Sequence, residues 1–143
     1  MTEAMTADAV FELLTLDHSV DEYGTVRYYN ALGELHRVYG HAVIYVDGHR
    51  SWYQNGQRHR VDGPAVIYAD GTRTWYQNGQ RHRVDGPAVE YDSGYRARYH
   101  KGQRYRIDGP AIEHADGRRA WYINGKQLSW AEWQQAVASM ETV

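Results

Sequence analysis

WYQNGQRHRVDGPAV at 52–66 recurs letter for letter at 75–89, and that spacing of 23 residues decides how the chain is built. The register extends upstream through YNALGELHRVYGHAVIYVDGHRS (29–51), which keeps Gly33, His36, Arg37, Gly40, Ala42, Val43, Tyr45, Asp47 and Gly48. Downstream it passes through RYHKGQRYRIDGPAIEHADGRRA (98–120) and breaks off in a partial copy, WYINGKQ (121–127). A tandem period of this length marks an array whose units bury their faces against their neighbours.

Each unit carries two turn signals. In AVIYADGTRTWYQNG (65–79), Asp70-Gly71 and Asn78-Gly79 read as two-residue turns between alternating side chains. Residues 65–69 and 72–77 then form the arms of a β-hairpin, and QRHRVDGPA leads to the next one. A two-residue loop at Asp70-Gly71 sets Tyr68 opposite Arg73 and Val66 opposite Trp75 on one face, with Ile67 and Thr74 on the other. The Val66 position stays aliphatic through the repeats (Val43, Val66, Val89, Ile112), whereas that of Ile67 becomes Glu90 and Glu113. The expected core is therefore the Val/Trp face, with a stripe of Trp52, Trp75 and Trp121 that Arg98 interrupts. Gly86 reads as a flexible backbone position, Pro87 as the start of a strand and Asp85 as an Asx turn.

The pattern predicts a mainly β fold: a single-layer antiparallel sheet of tandem hairpins in one domain, 1–143. An acidic helical cap occupies 1–22, the repeats 23–127 and a second helical cap 128–143. In TADAVFELLTL (6–16), Thr6 is a plausible N-cap, and Val10, Leu13 and Leu14 recur at helical spacing. Ser129-Trp130-Ala131-Glu132 has the form of a capping box, followed by a face of Trp130, Trp133, Val137 and Met140.

The W-Y-x-N-G-x-x-H-R-x-D-G-P-A unit resembles MORN-type repeats, in a variant similar to repeats of small bacteriophage and viral proteins, over roughly 29–127. The resemblance implies a scaffold, a protein-binding module or a peripheral membrane contact. With the small size it implies a phage accessory factor that occludes a host protein such as a defence nuclease or a toxin. Asp-Gly-Pro-Ala stands here where the best-known MORN repeats carry a plainer Gly-rich pattern.

Charge is unevenly distributed. The net charge is −2, yet residues 23–127 hold all 16 cations against ten acids, a balance of +6 between acidic ends. The aromatic set is 13 Tyr, 5 Trp and 1 Phe. Twelve of the 14 Arg lie at repeat-locked positions: Arg27, Arg50, Arg73, Arg96 and Arg119; Arg37, Arg60, Arg83 and Arg106; and Arg58, Arg81 and Arg104. One reading is a cationic, aromatic surface for a partner, made by Arg58, Arg81, Arg104, Arg60, Arg83, Arg106, Trp52, Trp75 and Trp121. The other is structural: Arg73 stacks on Tyr68, and the Arg of His-Arg-x-Asp pairs with a nearby Asp. The Arg58 ladder, beside the Asn-Gly turn, is the one expected to be free.

Other chemistries find little support. Without Cys there is no disulfide framework. No apolar run approaches ~18 residues, and the acidic first segment lacks the charge of a targeting peptide, so a cytoplasmic protein is expected. His36, His59 and His82 repeat at about 10 Å, too far apart for one zinc ion, and a hydrogen bond to backbone near the Asn-Gly turn suits them better. Scattered Ser residues and periodic Gly give no nucleophile constellation or phosphate cradle, and no cofactor is expected. The sequence thus points to a non-enzymatic protein-binding module. The alternatives are nucleic-acid binding through the Arg and aromatic ladders, and self-association through sheet edges or the C-terminal helix, as in a homodimer.

Overall fold

The two turn signals close differently in the computed structural model, which describes residues 4–142. At the Asn-Gly turns both residues are left-handed, with φ of 50° at Asn78 and 77° at Gly79, as a two-residue hairpin loop requires. At the Asp-Gly turns only the glycine is, with φ of 88° at Gly71. Gly71 N donates to Tyr68 O (3.0 Å) and Tyr68 N to Thr72 O (2.9 Å), so the loop is the three residues Ala69-Asp70-Gly71. Asp70 stays outside the left-handed region, and its Oδ1 accepts from Thr72 N at 2.8 Å.

That one extra residue shifts the hairpin register. Val66 lies opposite Thr74 and Ile67 opposite Arg73, in place of the Val66–Trp75 and Tyr68–Arg73 pairs expected from a two-residue loop. Thr74 therefore joins the valine face and is buried, while Trp75 is half-buried.

Helix α1 (Ala7–Thr15) leads into strands β1 (Asp17–Val20) and β2 (Val26–Tyr29), and helix α2 (Trp130–Glu141) follows the last hairpin. In between, hairpins closed by Asp-Gly, or by Ser93-Gly94 in the third, pair Val43–Ile44 with Arg50–Ser51, Val66–Ile67 with Arg73–Thr74, Val89–Glu90 with Arg96–Ala97, and Ile112–Glu113 with Arg119–Ile123. They follow one another in chain order through an 11-stranded antiparallel sheet running from β1 to Lys126–Leu128. The hairpins closed by Asn55-Gly56, Asn78-Gly79 and Lys101-Gly102 form a second row of small two-stranded sheets. Bonds such as Arg60 N to Tyr76 O (3.1 Å) and Gly79 N to Arg58 O (2.9 Å) tie each unit of this row to the next.

The core is as thin as a single sheet allows. Val43, Val66, Val89 and Ile112 share it with Ser51, Thr74 and Ala97, and Val66 is the largest fully buried side chain. The other face keeps its aromatic rings half-covered, as an uncovered sheet face must.

Both caps bear their expected N-caps, Thr6 for α1 and the Ser129/Glu132 capping box for α2. Their inward faces differ from expectation. In α1 the buried residues are Ala9 and Glu12, while Val10 and Leu14 are exposed. The buried Glu12 carboxylate accepts from the backbone N–H groups of Val38 and Tyr39 (2.8 Å for Tyr39), which outweighs the apolar face. Residues 17–20, expected within the helical cap, extend the sheet instead. In α2, Trp133 turns inward and its Nε1 donates to Arg106 O at 2.9 Å, leaving Trp130 and Met140 exposed. Residues 1–3 and 143 of the expected caps lie outside the described residues. Glu12→Ala, which strands two backbone donors, should cost about 1–3 kcal/mol in urea denaturation and speed proteolysis within α1.

Candidate partner-binding surface

The Arg and aromatic side chains singled out by their period separate onto two faces. On one, Arg60 and Arg83 lie over the Trp52 and Trp75 rings at 4.0 Å, and Arg37 lies over Tyr28 at 4.4 Å. Arg60 and Arg83 also donate through Nε to Asp62 (3.1 Å) and Asp85 (3.3 Å), and through NH1 to the Pro64 and Pro87 carbonyls. Arg106 repeats the bonds to Asp108 and Pro110, with Arg98 where the ring would be. A Cβ at Gly63, Gly86 or Gly109 would sit 2.8–2.9 Å from the guanidinium carbon. The glycine of His-Arg-x-Asp-Gly-Pro is thus there for close approach, and Asp85 serves as the ion-pair partner of Arg83 rather than as the expected Asx turn. This ladder is a structural clamp.

Arg73, expected to stack on Tyr68, pairs instead with Glu90 across the strand interface (3.0 Å). Glu90 also meets Arg83 (3.3 Å), and Glu113 meets Arg106 (3.8 Å), which explains why the Ile67 position turns acidic in the later repeats. Burial and the neighbouring Arg106 push the Arg98 guanidinium down, and Asp108 and Glu113 oppose that.

The valine face carries the third ladder. Arg58 Nε donates to Tyr53 OH (3.2 Å), Arg81 Nε to Tyr76 OH (3.3 Å) and Arg104 Nε to Tyr99 OH (3.2 Å). Each also lies over the tyrosine of the next repeat: Tyr76 at 5.4 Å, Tyr99 at 5.4 Å and Tyr122 at 5.2 Å. Burial opposes the charge of all three, but hydrogen bonds and electrostatics from the tyrosines outweigh it and raise their affinity for the proton. These arginines are therefore held in place, not free as expected. They remain electrostatically unanswered: among the described residues no carboxylate lies within 4.0 Å of any of them.

Above this ladder runs a column of rings. Tyr45 and His49 stack with centroids 4.6 Å apart, His49 and Tyr68 (4.6 Å) and Tyr91 and Tyr95 (4.9 Å) meet tilted, and Tyr95 and His114 (5.3 Å) meet edge-on. Between Tyr68 and Tyr91 lies a cavity of about 330 Å³ that Arg81 also lines.

The nine residues expected to form one site are thus divided. Arg58, Arg81 and Arg104 belong to the valine face, Arg60, Arg83, Arg106, Trp52 and Trp75 to the clamps, and Trp121 is half-buried in the final strand pair, opposite Leu128. Sequence reading missed Val61 (77% exposed) and Val84 (81% exposed), which with Val38 and Ile107 make an exposed aliphatic row. The signal for them was an apolar residue at a fixed loop position in every unit. The His ladder behaves as expected: Nδ1 of His36, His59 and His82 accepts from the backbone N–H of Asn55, Asn78 and Lys101. Among the described residues no three His, Asp or Glu side chains cluster as a metal site, and no helix is long and apolar enough to cross a membrane. No protein-family model matches the chain, and no curated protein matches it.

His41 occupies the position of Pro64, Pro87 and Pro110. Burial, then the charges of Arg37, Arg50 and Arg60, push its imidazole down from 6.5 to about 4. Burial also lowers His49 and His82. With folded values below the unfolded ones, the unfolded chain takes up protons first. Stability should be full above about pH 6.5 and decline as the pH falls toward about 4. Urea denaturation at pH 5 and pH 7.5 should show that decline, and His41→Pro should reduce it while adding about 0.4–1 kcal/mol at neutral pH.

Proposed function

We propose that the protein is a non-enzymatic binding module whose valine face docks an acidic segment of another protein. The observation that carries this reading is the row of three tyrosine-held guanidinium groups without a carboxylate partner. Fixed cations that need no rearrangement lower the ordering cost of binding an anionic chain. Tyr and Arg side by side are also the residue types that dominate protein-recognition hot spots.

The repeat supplies a ruler. Equivalent strands of successive hairpins are two strand spacings apart, about 10 Å, and a polyproline II chain brings every third side chain to the same side at about 3.1 Å per residue. One carboxylate at every third residue of a partner segment in that conformation therefore meets one guanidinium per repeat. The setting implied by the resemblance to phage repeats makes that partner a host protein, such as a defence nuclease or toxin, which this chain occludes.

The test is titration of a capped Ac-ESGESGESG-NH2 peptide, followed by calorimetry at low salt. Arg58→Glu/Arg81→Glu/Arg104→Glu should weaken it at least about tenfold. The same charge change at Arg50, Arg96 and Arg119 on the opposite face should leave it within about twofold. Equal loss from both triple variants would reduce the effect to net charge and overturn the docking face. Tighter binding of a single-stranded oligonucleotide, lost with the first triple variant and falling steeply with salt, would replace the protein partner by nucleic acid.

A further inference from the structure

The ring column on the valine face is interrupted once. Its inner positions are His49, Thr72, Tyr95 and Arg118 in successive units, and Thr72 is the ringless one that lies between two rings of the column. His49 fills the space between Tyr45 and Tyr68, and Tyr95 that between Tyr91 and His114. Between Tyr68 and Tyr91 the same space is the cavity of about 330 Å³, floored by Thr72, Thr74 and Val89. Two strand spacings of about 4.8 Å leave room there for one ring stacked on both tyrosines.

Two further observations mark this gap as a site. Thr74 lines it, is 4% exposed, and has a hydroxyl without any hydrogen-bond partner. A buried, unpaired hydroxyl is costly unless something satisfies it. Arg81 at the gap is exposed, whereas Arg58 and Arg104, beside the filled positions, are half-buried. The missing ring leaves a cation uncovered.

We infer that this gap receives one planar aromatic side chain of the docked acidic segment, sandwiched between Tyr68 and Tyr91, with a neighbouring carboxylate of the same segment on Arg81. The choice of a protein side chain rests on the docking reading above and on the continuity of the gap with Arg58 and Arg104, one repeat to either side. The ring fixes the register of the acidic chain, which equally spaced cations alone leave undefined. Asp70 and Asp92 also line the gap, so an indole N–H is a suitable donor there and a second anionic group is disfavoured.

The experiment compares Ac-ESGEWGESG-NH2 with the same peptide carrying Ala in place of Trp. On the native protein the Trp peptide should bind roughly tenfold tighter, the worth of a ring stacked on two faces. Thr72→Tyr, which copies Tyr95, should abolish that advantage and leave the Ala peptide unaffected. Thr72→His, which copies His49, should do the same should the tyrosine variant fold poorly. His49→Thr opens a second gap, and the native chain's single site for N-acetyltryptophanamide, seen as NMR shifts at the Thr72 and Thr74 amides, should become two. Equal affinity of the two peptides for the native chain, or a Trp advantage that survives Thr72→Tyr, would overturn the ring site. If neither peptide binds while N-acetyltryptophanamide still shifts Thr72 and Thr74, the docking reading fails and the gap stands. Absence of those shifts overturns the gap as well. AMP displacing the Trp peptide at lower concentration would overturn the assignment of the occupant to a protein side chain.

Discussion

A sheet one layer thick has nothing to pack against, and every other feature of this protein answers that constraint. Domains ordinarily bury a sheet face under a second layer. Here the cover is made within the sheet, by guanidinium groups laid over aromatic rings. On one face Arg60 and Arg83 close over Trp52 and Trp75 and are anchored by an aspartate and a proline carbonyl. On the other, Arg58, Arg81 and Arg104 lie between the tyrosines of adjacent units. A desolvated cation–π contact is worth about 2 kcal/mol and an exposed one about 0.5–1 kcal/mol, so repetition of the contact matters more than any single instance. The abundance of Arg over Lys follows, since only a planar cation can lie flat on a ring and hydrogen-bond at its rim.

The same device sorts the charge. The repeats are basic as a whole, but the guanidinium groups of Arg60, Arg73, Arg83 and Arg106 are answered by Asp62, Asp85, Asp108, Glu90 and Glu113. The ladder of the valine face is held by phenolic oxygens alone. The clamp arginines are therefore answered by carboxylates and the tyrosine-held ladder is not, a distinction that net charge conceals.

Much of this was legible in the sequence because a repeat displays each position several times. The period, the hairpins, the flanking helices, the Asn-Gly turn and the backbone role of His36, His59 and His82 all follow from local chemistry. The register of the Asp-Gly hairpin did not, because Asp-Gly suits both a two-residue loop and a three-residue loop with a left-handed glycine. That single residue moved Thr74 to the core face and Trp75 away from it. The inward side of α1 was also misjudged, since the backbone donors that attract Glu12 belong to residues 26 and 27 positions further along the chain. The open character of the Arg58 ladder was half legible: its lack of acidic neighbours could be read, its tyrosine cage could not.

If register between neighbouring units is what holds the fold, a whole unit can be removed without destroying it. Deleting residues 52–74 joins Ser51 to Trp75 and removes one period of 23 residues in phase. The account predicts a cooperatively folded chain with a smaller urea m-value, in proportion to the surface lost, and a modestly lower midpoint. Deleting one residue fewer, so that the units fall out of phase, should leave no cooperative transition. Equal behaviour of the two deletions in urea denaturation followed by circular dichroism would contradict it.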